Sequence, residues 1–199
     1  MERLKDYIAF DLEFTSFEED SQIIQVSAVR FKQGQEVAHF DSFVNTDHAI
    51  PSFISGLTGI TLDQIQAAPK IDTVMNEFKD FVGDLPLIGY NALKSDLPLL
   101  KANNLDLDAQ YQIDVYEEAR NRRDSYLAGS RGLSLQAVAN YFKIKGRGHN
   151  SLNDARMTAL VYEKLLELEE NESYLQQANQ ELIENNPFAN LSALFSADK

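Results

Sequence analysis

The feature that most constrains this chain lies near its start. Tyr7-Ile-Ala-Phe-Asp-Leu12 is apolar on both faces of an extended strand until it closes on Asp11-Leu12-Glu13. A strand of that kind is buried within a sheet that has layers on both sides. The periodicity that follows completes an alternating α/β pattern. Strands are expected over 23–31 and 36–44, joined as a hairpin through Lys32-Gln-Gly-Gln35. Ile50-Pro51 and Leu57-Thr-Gly-Ile-Thr61 break the pattern before a helix over 62–67. Ile71, Val74, Met75, Phe78 and Val82 share one helical face. A short strand over 85–89, a helix over 97–102 and a strand over 112–115 come next, then amphipathic helices over 133–142 and 152–168.

The 199 residues suit one domain, residues 1–168, with an acidic helical tail over 169–199 that Asn185-Asn-Pro187 interrupts. That tail is expected to pack back on the domain and fray at its end. The chain has no cysteine, which excludes disulfides and thiolate-bound zinc; any metal would take oxygen ligands, favouring Mg2+ or Mn2+. No apolar run approaches the ~20 residues of a membrane span and the start has no signal-like core, so a cytoplasmic protein without a membrane partner is expected.

The net charge of −13 argues against a nucleic-acid partner until its distribution is considered. Between Arg120 and Arg147 lie seven basic residues against Asp124 alone, a local balance of +6. The segment reads either as a phosphate-attracting patch beside His149 or as an ordinary solvated loop.

Five residues carry the chemistry. On a strand, Asp11 and Glu13 project to one side while Ile8, Phe10 and Leu12 face the other. Two such carboxylates repel unless a cation lies between them. The structural alternative is an acidic turn, since Glu18, Glu19 and Asp20 follow. A calcium loop fits poorly, with Ser16 and Gln22 where glycine and glutamate belong. Asp96, before Leu97-Pro98, also reads as a helix N-cap, and Ser151-Leu-Asn-Asp154 as a capping box. Of three histidines, His39 falls in strand alternation and His48 in a turn, whereas His149 sits five residues before Asp154 in a glycine-punctuated loop. Imidazole exchanges a proton near neutral pH, so His149 suits a general base as well as an exposed loop. Four carboxylates and one imidazole, brought together, hold two divalent cations and activate a water for phosphodiester cleavage.

The spacing of these residues resembles the DEDDh group of 3′→5′ exonucleases. Asp11-Leu-Glu13-Phe-Thr15 is similar to the first motif, Gly89-Tyr-Asn91 through Asp96-Leu-Pro-Leu-Leu100 to the second, and His149-Asn-Ser-Leu-Asn-Asp154-Ala155 to the third. Ile23-Ile-Gln-Val-Ser-Ala28, Leu57-Thr-Gly-Ile-Thr61 and Leu133-Ser-Leu-Gln-Ala-Val-Ala139 match in support, so the resemblance covers roughly residues 7–168. Ser16, Gln25 and Tyr90 depart from common family residues, and none removes a ligand.

The resemblance implies a ribonuclease H-like fold with a five-stranded mixed sheet flanked by helices. It implies two metal ions held by Asp11, Glu13, Asp96 and Asp154, and His149 as the base that releases nucleoside 5′-monophosphates. Leu12, Thr15, Phe17 and Asn91 are the implied contacts to the terminal nucleotide, Phe17 either as a stacking platform or as a core aromatic. The expected substrate is the 3′ end of single-stranded DNA, in proofreading or repair, with an exoribonuclease acting on RNA as the rival. A non-catalytic nucleic-acid or polymerase-binding module is the reading from another class. Leu191-Ser-Ala-Leu-Phe195 faintly resembles clamp-binding peptides, which makes a polymerase or sliding clamp a candidate partner of the tail.

Overall fold

The computed structural model of the protein describes residues 3–16, 21–146 and 148–184. Its centre is a five-stranded sheet in the order β3-β2-β1-β4-β5. β1 (Asp6–Phe14) pairs antiparallel with β2 (Ile23–Lys32), which pairs antiparallel with β3 (Gln35–Phe43). On the other side β4 (Leu87–Gly89) runs parallel to β1, and β5 (Gln112–Asp114) runs parallel to β4. The sheet is mixed, as expected. The β2–β3 hairpin turns through Gln33 and Gly34 at φ 51° and 76°, two positive values in a row that match the twist of the flanking strands.

Seven helices are present among the described residues. They are α1 (Ser52–Thr58), α2 (Leu62–Gln66), α3 (Ile71–Val82), α4 (Asp96–Ala102), α5 (Val115–Asn121), α6 (Leu135–Tyr141) and α7 (Ser151–Glu184). The alternation along β1 sorts them into layers. Tyr7 and Ala9 face α7, where Met157, Val161, Tyr162 and Leu165 complete one core. Tyr7 stacks on Phe31 at 5.4 Å and meets the Tyr162 edge at 5.2 Å. Ile8, Phe10 and Leu12 face the opposite layer, where Val74, Phe78 and Val82 of α3 and Leu100 of α4 close a second core. Burying each of these large side chains contributes about 1.5–3 kcal/mol, so both layers are held firmly to β1.

Two helices, α1 and α5, lie where no helix was expected. α5 follows β5 with no intervening loop: the Asp114 carboxylate accepts the Tyr116 N–H at 3.0 Å and caps it. α7 runs unbroken through residue 168, so the expected domain boundary falls inside a helix. Arg122 pairs there with Glu169, and Arg3 with Glu170 at 2.5 Å, tying the first turn past that boundary to the body. The tail beyond Glu184, including residues 191–195, lies outside the described residues.

Candidate active site

The site forms where β1 ends. Asp11 occupies the same face as Tyr7 and Ala9, the face covered by α7, and Glu13 follows two residues on. α7 begins at Ser151 and brings Asp154 to the same place. One ligand oxygen from each of Asp11, Glu13 and Asp154 lies within 4.8 Å of the others. Asp154 is 9% exposed, and its Oδ1 is buried with no hydrogen-bond partner. A buried carboxylate oxygen without a donor is costly unless a cation meets it. Such a set of hard oxygens suits a divalent metal.

Asp96 reaches this edge from the opposite layer. It is the first residue of α4, not its cap: Ser95 holds the cap position, and the Asp96 carboxylate is turned towards β1. Its Oδ1 accepts the Leu12 N–H at 3.0 Å, and its Oδ2 accepts the Ser95 hydroxyl. It is 4% exposed. Each oxygen already accepts one hydrogen bond, and Asp96 stands beside the three-carboxylate group rather than within it.

Burial leaves its mark on all four acids, and repulsion from the other site carboxylates adds to it at Asp11 and Glu13. Desolvation raises Asp11 well above the ordinary carboxylate range, with Asp96, Asp154 and Glu13 adding to the rise. Desolvation, then Asp154 and Asp96, push Glu13 up to about 7. Desolvation pushes Asp96 up to about 6, against the hydrogen bonds from Ser95 and Leu12. Asp154 is also raised by burial, in part offset by the His149 backbone N–H. Four acids that resist ionisation together form a site that a cation would relieve.

His149 is exposed and sits at φ 64°, in the left-handed region. Its N–H donates to Asp154 Oδ2 at 2.8 Å. The helix cap here is Asn150, whose Oδ1 accepts the Asn153 N–H at 3.1 Å. Ser151, expected in a capping box, instead shares a hydrogen bond with Ser27 Oγ at 2.5 Å. The loop ahead of His149 is pinned by Gln136 of α6, whose Oε1 accepts the Gly148 N–H at 2.9 Å and whose Nε2 lies 3.4 Å from Gly146 O. Sequence reasoning did not single out Gln136.

Asp11, Glu13, Asp96, His149 and Asp154 together line one open cleft of about 250 Å³. Leu12 and Asn91 also line it. Asn91 sits at φ 63°, with its N–H donating to Asp114 Oδ1 at 2.8 Å, and Leu93 N–H donates to Asp114 Oδ2. The turn needs Gly89, since a Cβ there would fall 2.3 Å from the Ala92 Cβ. Thr15 is not among the lining residues. It is 6% exposed and closes the loop after β1 by accepting the Gln22 N–H at 3.0 Å. Phe17 lies outside the described residues.

Phe53, Ile54 and Leu57 of α1, with Phe14 and Tyr90, complete the cleft wall. Phe53 is 71% exposed, a large ring offered to whatever enters. No sequence signal marked it, because α1 is seven residues long and has no fully buried residue. Of the departures noted in the sequence, Gln25 pairs in register with Glu13 and donates to Asp41 Oδ1 at 2.7 Å, placing an amide where another carboxylate would add to the charge. Tyr90 donates to Leu133 O at 2.5 Å.

The fold turns four carboxylates and a histidine into one cleft, an arrangement suited to an exonuclease. The exonuclease (RNase_T) family model matches residues 8–162, and the chain belongs to that family. It is similar to DNA polymerase III PolC-type of Clostridium perfringens (strain 13 / Type A), 32% identical over 158 residues, 78% of this chain and 11% of the polymerase. The Latilactobacillus sakei subsp. sakei (strain 23K) PolC-type polymerase is 33% identical over 176 residues, 85% of this chain and 12% of the polymerase. The chain thus spans about a tenth of the length of these curated relatives. Among solved structures, exonuclease I matches with a TM-score of 0.71 at 15% identity, over 83% of this chain and 41% of its own. The nuclease domain of 3'hExo, a DEDDh family member bound to rAMP, matches at 0.68 and 19%, over 82% and 92%. Both share the fold.

Proposed function

We propose that this chain removes nucleotides stepwise from the 3′ end of single-stranded DNA, releasing nucleoside 5′-monophosphates, in proofreading or repair. The observation that carries the reading is the unpartnered buried oxygen of Asp154, set within 4.8 Å of carboxylate oxygens of Asp11 and Glu13 and beside His149 in one cleft. The choice of DNA is supported by the PolC-type polymerases among the relatives.

The acidic set fits two divalent ions, Mg2+ or Mn2+: Asp11, Glu13 and Asp154 would hold one, and Asp11 with Asp96, through water, the other. When bound, such ions neutralise the cluster and stabilise charge on the attacking and leaving oxygens. The residues do the rest. His149, exposed at the cleft mouth, accepts the proton of the attacking water. Asp154, by accepting the His149 N–H, ties that loop to the ligand group. Leu12, Asn91 and the exposed Phe53 hold the terminal nucleotide, Phe53 by stacking on its base.

Single strands of DNA and RNA labelled at either end, incubated with Mg2+, Mn2+ or EDTA, test this reading. Stepwise loss from the 3′ end, abolished by EDTA and by Asp11→Ala, is the expected result. Shortening from the 5′ end, or cleavage retained in Asp11→Ala, would overturn it. RNA degraded well ahead of DNA would replace the DNA reading with an exoribonuclease. His149→Ala is expected to lose rate while keeping metal binding; loss of both would make His149 a ligand.

A further inference from the structure

The seven basic residues between Arg120 and Arg147 divide sharply in the folded chain. Arg120 pairs with Glu117 at 3.0 Å, Arg122 with Glu118 and Glu169, and Arg123 donates to Leu127 O and Ser130 O. Arg131, Lys143 and Lys145 are exposed and make no ion pair with any described residue. Arg147 lies outside the described residues. Three of the seven are thus engaged by the body, with Arg122 alone reaching α7, and Arg131, Lys143 and Lys145 are left to solvent on an otherwise acidic molecule.

Arg131 lines a hollow of about 400 Å³ with Ser134, Gln136, Asn140 and Tyr141, and no carboxylate lines it. The Tyr141 ring is 40% exposed. A Cβ at Gly129 would meet that ring at 3.1 Å, so the glycine lets backbone lie against it and fixes its place. The Phe142 edge packs on Tyr141 at 5.3 Å. The hollow adjoins the cleft through Gln136, which holds the Gly148 N–H, one residue from His149. A guanidinium, an anchored aromatic face and several neutral hydrogen-bonding groups in one place form the chemistry that receives an unpaired nucleotide. The phosphate meets the guanidinium in a charge-assisted contact, and the base stacks on the ring.

We propose that this hollow binds the substrate strand upstream of the terminal nucleotide, with a phosphate against Arg131 and a base on Tyr141. The inference deepens the exonuclease reading of the cleft and rests on it for the identity of the strand. It assigns to Arg131 and Tyr141 the grip on the strand, and leaves the reaction to the cleft.

Arg131→Ala, Tyr141→Leu and Tyr141→Phe are compared with the unaltered chain on two substrates. One is an oligothymidylate of about 20 nucleotides, longer than the reach of one binding module. The other is the p-nitrophenyl ester of thymidine 5′-monophosphate, which occupies the cleft alone. Arg131→Ala and Tyr141→Leu are expected to raise KM for the oligomer about tenfold with kcat unchanged, and to hydrolyse the ester normally. Tyr141→Phe keeps the ring and keeps the KM. The salt dependence of oligomer binding becomes shallower by about one unit in Arg131→Ala. An unchanged KM for the oligomer, or equal loss on oligomer and ester, overturns the proposal. If the unaltered chain cleaves neither substrate, the exonuclease reading fails by itself. Fluorescence anisotropy of the labelled oligomer then decides the hollow separately: binding weakened about tenfold by Arg131→Ala supports it, and undiminished binding rejects it.

Discussion

Asp11, Glu13, Asp96 and Asp154 are each pushed above the ordinary carboxylate range by burial, and their mutual repulsion has a consequence for stability. Glu13 and Asp96 titrate near about 7 and about 6 in the folded chain, above the unfolded values near about 4. The folded state therefore keeps protons that the unfolded state has lost. This contribution favours folding below about pH 4 and is lost as pH rises through 6 to 7. The metal-free protein should lose Tm over that window, and Mn2+ should restore more at pH 8 than at pH 5 in a thermal melt. Asp11→Asn should abolish cleavage yet raise the metal-free Tm at pH 8 by about 2–5 °C, the scale of a 1–2 kcal/mol gain at this length. A Tm lowered by that substitution would contradict the repulsion. Gln136 has the opposite character, since it carries no charge and acts through the His149 loop. Gln136→Leu should cut kcat on the p-nitrophenyl ester about tenfold with KM and Mn2+ affinity kept. Gln136→Glu, which retains an acceptor for the Gly148 N–H, should recover part of the rate.

Among the elements, α1 and the α5–α7 contact show how differently two surface features weigh. α1 has no fully buried residue, packs on the body through Ile54, and stands over the cleft with Phe53 and Leu57. Phe53→Ala should leave stability within about 0.5 kcal/mol, as for other exposed positions, and raise KM for the oligomer. The Arg122 side chain is 12% exposed between Glu118 and Glu169. Arg122→Ala should therefore lower stability by on the order of 1–3 kcal/mol, with KM for the oligomer unchanged. That is the reverse of the pattern expected for Arg131. The difference could not be read along the chain, where both are arginines of one basic segment. α5 was hidden for a related reason: with no loop between Asp114 and Val115, the periodicity of a strand passes straight into that of a helix.

Over the whole molecule, α7 is the beam that joins the cleft to the tail. Its first turn carries Asp154, its middle fills the core under β1, and residues 173–181 towards its end are exposed. A chain ending at Glu172 keeps the contacts of Glu169, Glu170 and Glu172 with Arg122, Arg3 and Tyr126. It should melt within about 2 °C of the full chain, a difference of under 1 kcal/mol, and cleave at the same rate. The sequence alone determined what depends on neighbours in the chain. The period of two along β1 sends Asp11 to the face opposite Ile8, Phe10 and Leu12, and the helical period over 71–82 places Val74 and Phe78 in the core. Tertiary structure alone decided which oxygen of Asp154 is left without a donor, that Asp96 takes the Leu12 N–H across 84 residues, and which arginines are spent on partners. Those outcomes follow from how separate layers close on one strand end, and long-range closure has no period for a sequence to display.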